Sequence, residues 1–84
     1  MPNIIVERNF DPPLTMEELQ DMDERIKRCL NIYKVRWIRS FLATDRRRMI
    51  CEYEAADTAS VRNLQREADA RFDHVWPGDV LGEQ

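Results

Sequence analysis

The fold of this chain is decided by residues 31–55, which read NIYKVRWIRSFLATDRRRMICEYEA. This stretch holds two runs rich in β-branched and aromatic residues, 34–43 and 47–55, and a short polar break separates them. Such composition is typical of strands. The break lacks the Asn-Gly or Asp-Gly pair of the tightest turns, so the stretch predicts a β-hairpin with a loop of about three to five residues.

Before the hairpin, the chain predicts a strand followed by a helix. Residues 4–10 alternate apolar and polar side chains, and two prolines end the run because proline cannot donate to a ladder. Thr15 and Glu18 then form a capping-box pattern, which predicts a helix that ends near Asn31. Its apolar positions recur at helical spacing. They are Leu19, Met22, Ile26, Cys29 and Leu30.

After the hairpin, the pattern repeats with a second helix and a last strand. Asp57 is the predicted N-cap of a helix that runs to about Arg71. The predicted buried stripe is Val61, Leu64, Ala68 and Phe72. Residues 75–81 form the last extended run, and its Pro77 and Gly78 fit an edge strand better than a central one.

The order strand, helix, strand, strand, helix, strand predicts one α+β domain over residues 1–84 with the ferredoxin-like βαββαβ arrangement. It has a four-stranded antiparallel sheet with both helices on one face. Right-handed crossovers place the first and third strands in the centre.

The two faces of the predicted sheet differ in character. Met49, Cys51 and Tyr53 form the better candidate for the face under the helices. Ile50, Glu52 and Glu54 then belong to an open, partly polar face. Strict alternation puts Val35, Trp37, Arg39 and Phe41 together on one face of the second strand. An open sheet face on so small a chain predicts a homodimer.

Composition excludes several classes of protein. The 84 residues are 43% hydrophobic and 35% charged, which indicates a globular domain. The net charge of −3 argues against a nucleic-acid binder. No apolar run is long enough for a membrane span. Cys29 and Cys51 lie in apolar contexts and are predicted to be buried free thiols in a cytoplasmic protein.

Two kinds of site follow from the polar residues. A divalent transition metal could use His74 with the carboxylates of Glu7, Glu52 and Glu54, since imidazole and carboxylate suit nickel, zinc and copper. The simpler interpretation of His74 is a surface histidine.

The alternative is a small-molecule pocket on the open face, lined by Glu7, Trp37, Arg39 and Glu52. The simpler interpretation of Glu7 and Glu52 is ordinary ion pairing with Arg8 or Arg39. No motif indicates catalytic residues, so the enzyme class stays open, and a pure interaction domain fits as well.

Five segments in order resemble a family of small bacterial domains that is catalogued largely as of unknown function, with some members called nickel-binding proteins. They are IIVERNF (4–10), PLT (13–15), VRWIRSF (35–41), CEYEA (51–55) and FDHVWP (72–77). The resemblance implies a ferredoxin-like fold and a dimeric α/β barrel built from two open faces. It also implies nickel or another divalent transition metal as the ligand.

We therefore predict a small cytoplasmic dimer that binds a divalent transition metal such as nickel, with no nucleic-acid or membrane partner. The alternative is a small-molecule binder or a cofactor-free enzyme, of the monooxygenase or isomerase kind by analogy of fold alone.

Overall fold

The computed structural model describes residues 2–82, so residues 1, 83 and 84 of the predicted domain lie outside the described residues. Its elements are β1 (Asn3–Asn9), α1 (Met16–Tyr33), β2 (Arg36–Leu42), β3 (Arg48–Glu54), α2 (Thr58–Glu67) and β4 (His74–Gly78). The sheet is antiparallel with the order β2-β3-β1-β4. This confirms the βαββαβ fold and the central place of the first and third strands. The hairpin loop spans the five residues 43–47, within the predicted length.

The core lies between one face of the sheet and the two helices. Ile4, Val6, Met49, Cys51 and Tyr53 are buried there against helix residues. The helix residues of the same cluster are Met22, Ile26, Cys29, Val61, Leu64 and Ala68. The predicted assignment of the β3 side chains to the two faces is confirmed, and both cysteines are buried and free.

Helix α1 begins as the sequence predicts. The Glu18 backbone N–H donates to Thr15 Oγ1 at 3.1 Å, and the Thr15 N–H donates to Glu18 Oε1 at 3.0 Å. The helix ends two residues later than predicted, where Lys34 adopts the left-handed conformation and donates to carbonyls of the last turn.

Replacing Thr15 with alanine is expected to lower the free energy of unfolding by about 1 kcal/mol, because a helix N–H loses its capping acceptor. Thr44→Ala, at an exposed position in the hairpin loop, is the matched control. Urea denaturation measures both variants. An equal loss in the two would mean that the cap adds nothing.

The prediction that α2 runs to Arg71 is wrong, because the helix ends at Glu67. Asp69 has a left-handed φ of 53°, which breaks the helix after its cap residue Ala68. Arg25 of α1 then donates to the freed carbonyls of Ala68 at 2.8 Å and Asp69 at 3.3 Å. A long-range partner therefore stabilises an ending that local pattern does not reveal.

Strand β4 begins one residue earlier and ends three residues earlier than predicted, and it lies at the edge of the sheet. Residues 2–82 contain the helices α1 and α2. Neither of them is both long enough and apolar enough to cross a bilayer.

Candidate functional site

The face of the sheet opposite the helices carries most of the predicted site residues. Strand register sets their neighbours, because residues directly opposite each other share a face. Phe41 lies opposite Ile50, and Ile5 lies opposite Trp76. These four side chains form a diagonal apolar stripe across all four strands, which we call the open-face stripe. Phe41 is 66% exposed to solvent and Trp76 is 43% exposed.

Glu7 and His74 are directly opposite each other on β1 and β4, beside the open-face stripe. The Trp76 indole N–H donates to Glu7 Oε2 at 2.7 Å, and Arg48 Nη2 donates to Glu7 Oε1 at 3.2 Å. These two bonds, the indole bond first, hold the pKa of Glu7 below its usual value despite some loss of hydration. The carboxylate is thus ionised and fixed in orientation next to an imidazole.

We expect Trp76→Phe to raise the pKa of Glu7 towards its ordinary value, because the bond with the largest effect on it is lost. The lowered pKa stabilises the fold above the pKa of the unfolded chain, and this contribution is lost as the pH falls through the folded value. Carboxyl NMR titration measures the change. Glu18 is the internal control, since its lowered pKa depends on Thr15 alone and is expected not to move. An unchanged Glu7 would show that the indole bond has no part in the shift.

Glu52 and Glu54 do not join Glu7 and His74. Glu52 pairs with Arg39 across β2 and β3 at 3.0 Å, and Glu54 pairs with Arg36 at 3.4 Å. Both lie on β3, which is separated from β4 by β1, so their backbones are about 10 Å from β4. The ion-pair interpretation is confirmed for Glu52. Glu7 also forms an ion pair, but with Arg48 rather than with Arg8 or Arg39.

The prediction that Trp37 shares a face with Arg39 is wrong. A β-bulge between them leaves Ile38 unpaired, so Trp37 is opposite Tyr53 while Arg39 is opposite Glu52. Trp37 therefore lies on the helix side, with its ring centroid 6.5 Å from that of Tyr53. Phe41, beyond the bulge, stays on the open face with Arg39.

Two grooves in the described part of the chain are not lined by the residues predicted to form a small-molecule pocket. A groove of about 380 Å³ lies on the helix side, between the residues after β1 and the first half of α1. A smaller one of about 240 Å³ lies at the hairpin end of β2 and β3. Glu7, Trp37, Arg39 and Glu52 line neither of them.

No group of three or more His, Cys, Asp or Glu side chains within residues 2–82 is arranged to hold a metal ion. Glu7 and His74 thus amount to a pair of adjacent potential ligands. The sequence pattern gave no sign of the Arg48 and Trp76 bonds to Glu7, because both depend on register between strands distant in the chain.

Comparison with known proteins identifies the group to which the chain belongs. A family model described as nickel responsive protein SCO4226-like matches residues 5–77. The chain belongs to the SCO4226-like family. This confirms the resemblance to small domains associated with nickel.

The fold of this SCO4226-like chain is also found in a solved structure. The crystal structure of SCO4226 from Streptomyces coelicolor A3(2) superposes with a TM-score of 0.83, covering 95% of this chain and 99% of that chain. The two sequences are 10% identical, so the likeness establishes the fold alone. No curated protein matches the chain.

Proposed function

We propose that this chain is a homodimeric protein that binds a divalent transition metal such as nickel through Glu7 and His74 on the open face. The observation that carries the proposal is the direct cross-strand pairing of these two residues. Membership of a family named for nickel response supports the choice of metal.

The chemistry of the pair suits this role. Imidazole nitrogen and carboxylate oxygen are good ligands for nickel, zinc and copper. The bonds from Trp76 and Arg48 use one acceptor position on each Glu7 oxygen, and an ionised carboxylate has about four such positions. Such outer bonds orient metal-binding carboxylates and are part of ordinary metal sites.

A second copy of the chain would complete the ligand set. One chain contributes two ligands, whereas transition-metal sites in proteins have four to six, as tetrahedral or octahedral geometry requires. A two-fold interface on the open face brings the same surface of both copies together, and with its axis beside Glu7 and His74 it doubles the number of ligands at one site. In this dimer the metal would bind between the two copies.

The open-face stripe supports the dimer. Its four apolar residues cross the whole sheet, and Phe41 and Trp76 are exposed in the single chain. The ion pair Arg39–Glu52 flanks it on one side and Arg48–Glu7 on the other, so the face has little net charge to oppose self-association.

The free thiols of Cys29 and Cys51 support a reducing, cytoplasmic location.

His74→Ala is expected to abolish nickel uptake while leaving the dimer intact, because the chain loses its imidazole and keeps its apolar stripe. Native mass spectrometry of tag-free protein, titrated with Ni²⁺ and with Zn²⁺, reports bound mass and subunit number together. Glu54→Gln is the matched control, since Glu54 belongs to the open face but is two strands from His74. It should bind nickel as the unchanged protein does.

Each part of the proposal can fail separately in this experiment. Unaltered nickel uptake by His74→Ala would exclude His74 as a ligand. A monomer at micromolar concentration would exclude the open-face dimer. A dimer that ignores both metals but carries an organic mass would instead support the small-molecule alternative.

A further inference from the structure

His74, one half of the proposed ligand pair, stands at the very start of an edge strand. Strand β4 has five residues and a single neighbour, β1, and Glu7 opposite His74 is the last pair at this end of their ladder. The ends of such ladders are where backbone hydrogen bonds open most easily. His74 is also exposed, so the core does not hold its side chain. A fixed placement of His74 beside Glu7 therefore depends on the residues that precede β4.

Side chains tie the segment just before β4 to the end of β1. The Asp73 N–H donates to the Glu7 carbonyl at 2.8 Å. Asp73 Oδ2 accepts from the Asn9 N–H at 2.7 Å and from Asn9 Nδ2 at 3.2 Å. On the helix side, Arg8 Nη1 donates to the Arg71 carbonyl at 3.0 Å. Three consecutive residues of β1 thus bond the segment that leads into β4.

The Asp73 carboxylate extends the ladder by one step. Beyond Glu7 and His74, the two strands have no further backbone pair. Asp73 Oδ2 supplies the acceptor that the Asn9 N–H would otherwise find on a paired strand. A charged acceptor makes such a bond shorter and stronger than a neutral one. The carboxylate therefore closes the end of the ladder immediately beside the ligand pair.

We infer that Asp73 is a positioning residue for the metal site, a role that rests on the metal binding proposed above. Its carboxylate, bonded to Asn9, fixes His74 opposite Glu7. The bonds protect the register of β4, because a shift of one residue moves every side chain of a strand to the other face of the sheet. After such a shift His74 would lie on the helix side, away from Glu7.

Asp73 acts through the strand rather than as a third ligand. With Glu7 and His74 it would make a group of three potential ligands, and no such group within residues 2–82 is arranged to hold a metal ion. Its Oδ2 is already used by two N–H groups of Asn9. By ordering His74 in advance, Asp73 spares the metal the cost of ordering the end of the strand when it binds.

Three variants of the whole chain test this role by calorimetric titration with Ni²⁺. Asp73→Ala removes both the acceptor and the charge, whereas Asp73→Asn removes the charge but keeps an Oδ1 acceptor. We expect Asp73→Ala to lose about tenfold in nickel affinity, the lower end of the range for outer hydrogen bonds of metal sites. Asp73→Asn should recover most of this loss. Asp79→Ala, which removes a charge just beyond the other end of β4, should bind nickel as the unchanged protein does.

NMR of the metal-free protein separates the positioning role from the metal proposal. Asp73→Ala should lose hydrogen-exchange protection at the Asn9 amide and the cross-strand NOEs between Glu7 and His74, while the next pair of the ladder keeps its NOEs. If the unchanged protein takes up no nickel, the proposed function fails, and these NOEs alone decide whether Asp73 positions His74.

Four results would overturn the positioning role. They are retained NOEs between Glu7 and His74 in Asp73→Ala, an unaltered nickel affinity of that variant, and an equal loss of affinity in Asp73→Asn, which would assign the effect to charge or direct ligation. The fourth is an unprotected Asn9 amide in the unchanged protein, which decides the matter even if Asp73→Ala does not fold.

Discussion

Replacing Ile26 with alanine is expected to lower the free energy of unfolding by about 3–4 kcal/mol. Ile26 is 1% exposed and lies in the middle of the inner face of α1, where it packs in the core cluster with the central strands and α2. The substitution removes three buried carbon atoms and leaves a cavity that the well-packed neighbours cannot fill. Because small domains are only marginally stable, the loss takes away a large part of the total.

Ile32→Ala is the matched control, since Ile32 lies on the same helix and is 70% exposed. Its effect should stay within about 0.5 kcal/mol. Urea denaturation at one fixed protein concentration measures both variants, so that self-association affects them equally. Similar losses in the two would mean that α1 does not pack through the face that carries Ile26.

Replacing Gln65 with leucine is expected to lower the free energy of unfolding by about 1.5–3 kcal/mol, the range for losing a hydrogen bond to a charged group. Gln65 is fully buried, and its Oε1 accepts the shortest hydrogen bond that Arg8 donates. Leucine fills similar space but accepts nothing. The guanidinium would keep its charge in the core with a poorer set of acceptors.

The double variant Arg8→Met and Gln65→Leu should recover part of this loss. Replacing a buried polar network as a whole by apolar groups is often neutral or stabilising, whereas breaking one partner is costly. Gln20→Leu, at an exposed position of α1, controls for the change of residue type. Denaturant unfolding of the unchanged protein, Arg8→Met, Gln65→Leu and the double variant gives the coupling between Arg8 and Gln65. Additive effects would show that the bond contributes nothing specific.

Local pattern was sufficient for the elements and their order. The capping box of α1, its apolar stripe and the alternation in β1 and β3 all agree with the structure. These features depend on neighbours within a few residues, where side-chain spacing directly reflects helix or strand geometry. The sheet order followed from the handedness of crossovers, which applies to chains of any sequence.

The candidate site was only partly predictable. Glu7 and His74 were both named from their chemistry, and their direct pairing came from the register of β1 with β4. Glu52 and Glu54 have the same chemistry but lie two strands from β4 and pair with arginines. Side-chain chemistry alone cannot decide which of these four candidate ligands form a site, because the ligands of one metal ion must also lie close together.

The sequence by itself determined the order of the helices and strands, the ferredoxin-like topology and, for β3, the face that lies under the helices. Only the tertiary structure decided that a bulge turns Trp37 away from Arg39, that Arg25 stabilises the end of α2, and that Arg8 and Gln65 meet in the core. Each of these involves backbone or side-chain contacts that local periodicity does not encode. Periodicity reports which way a side chain points within its own element, whereas the identity of its partner depends on how distant elements pack together.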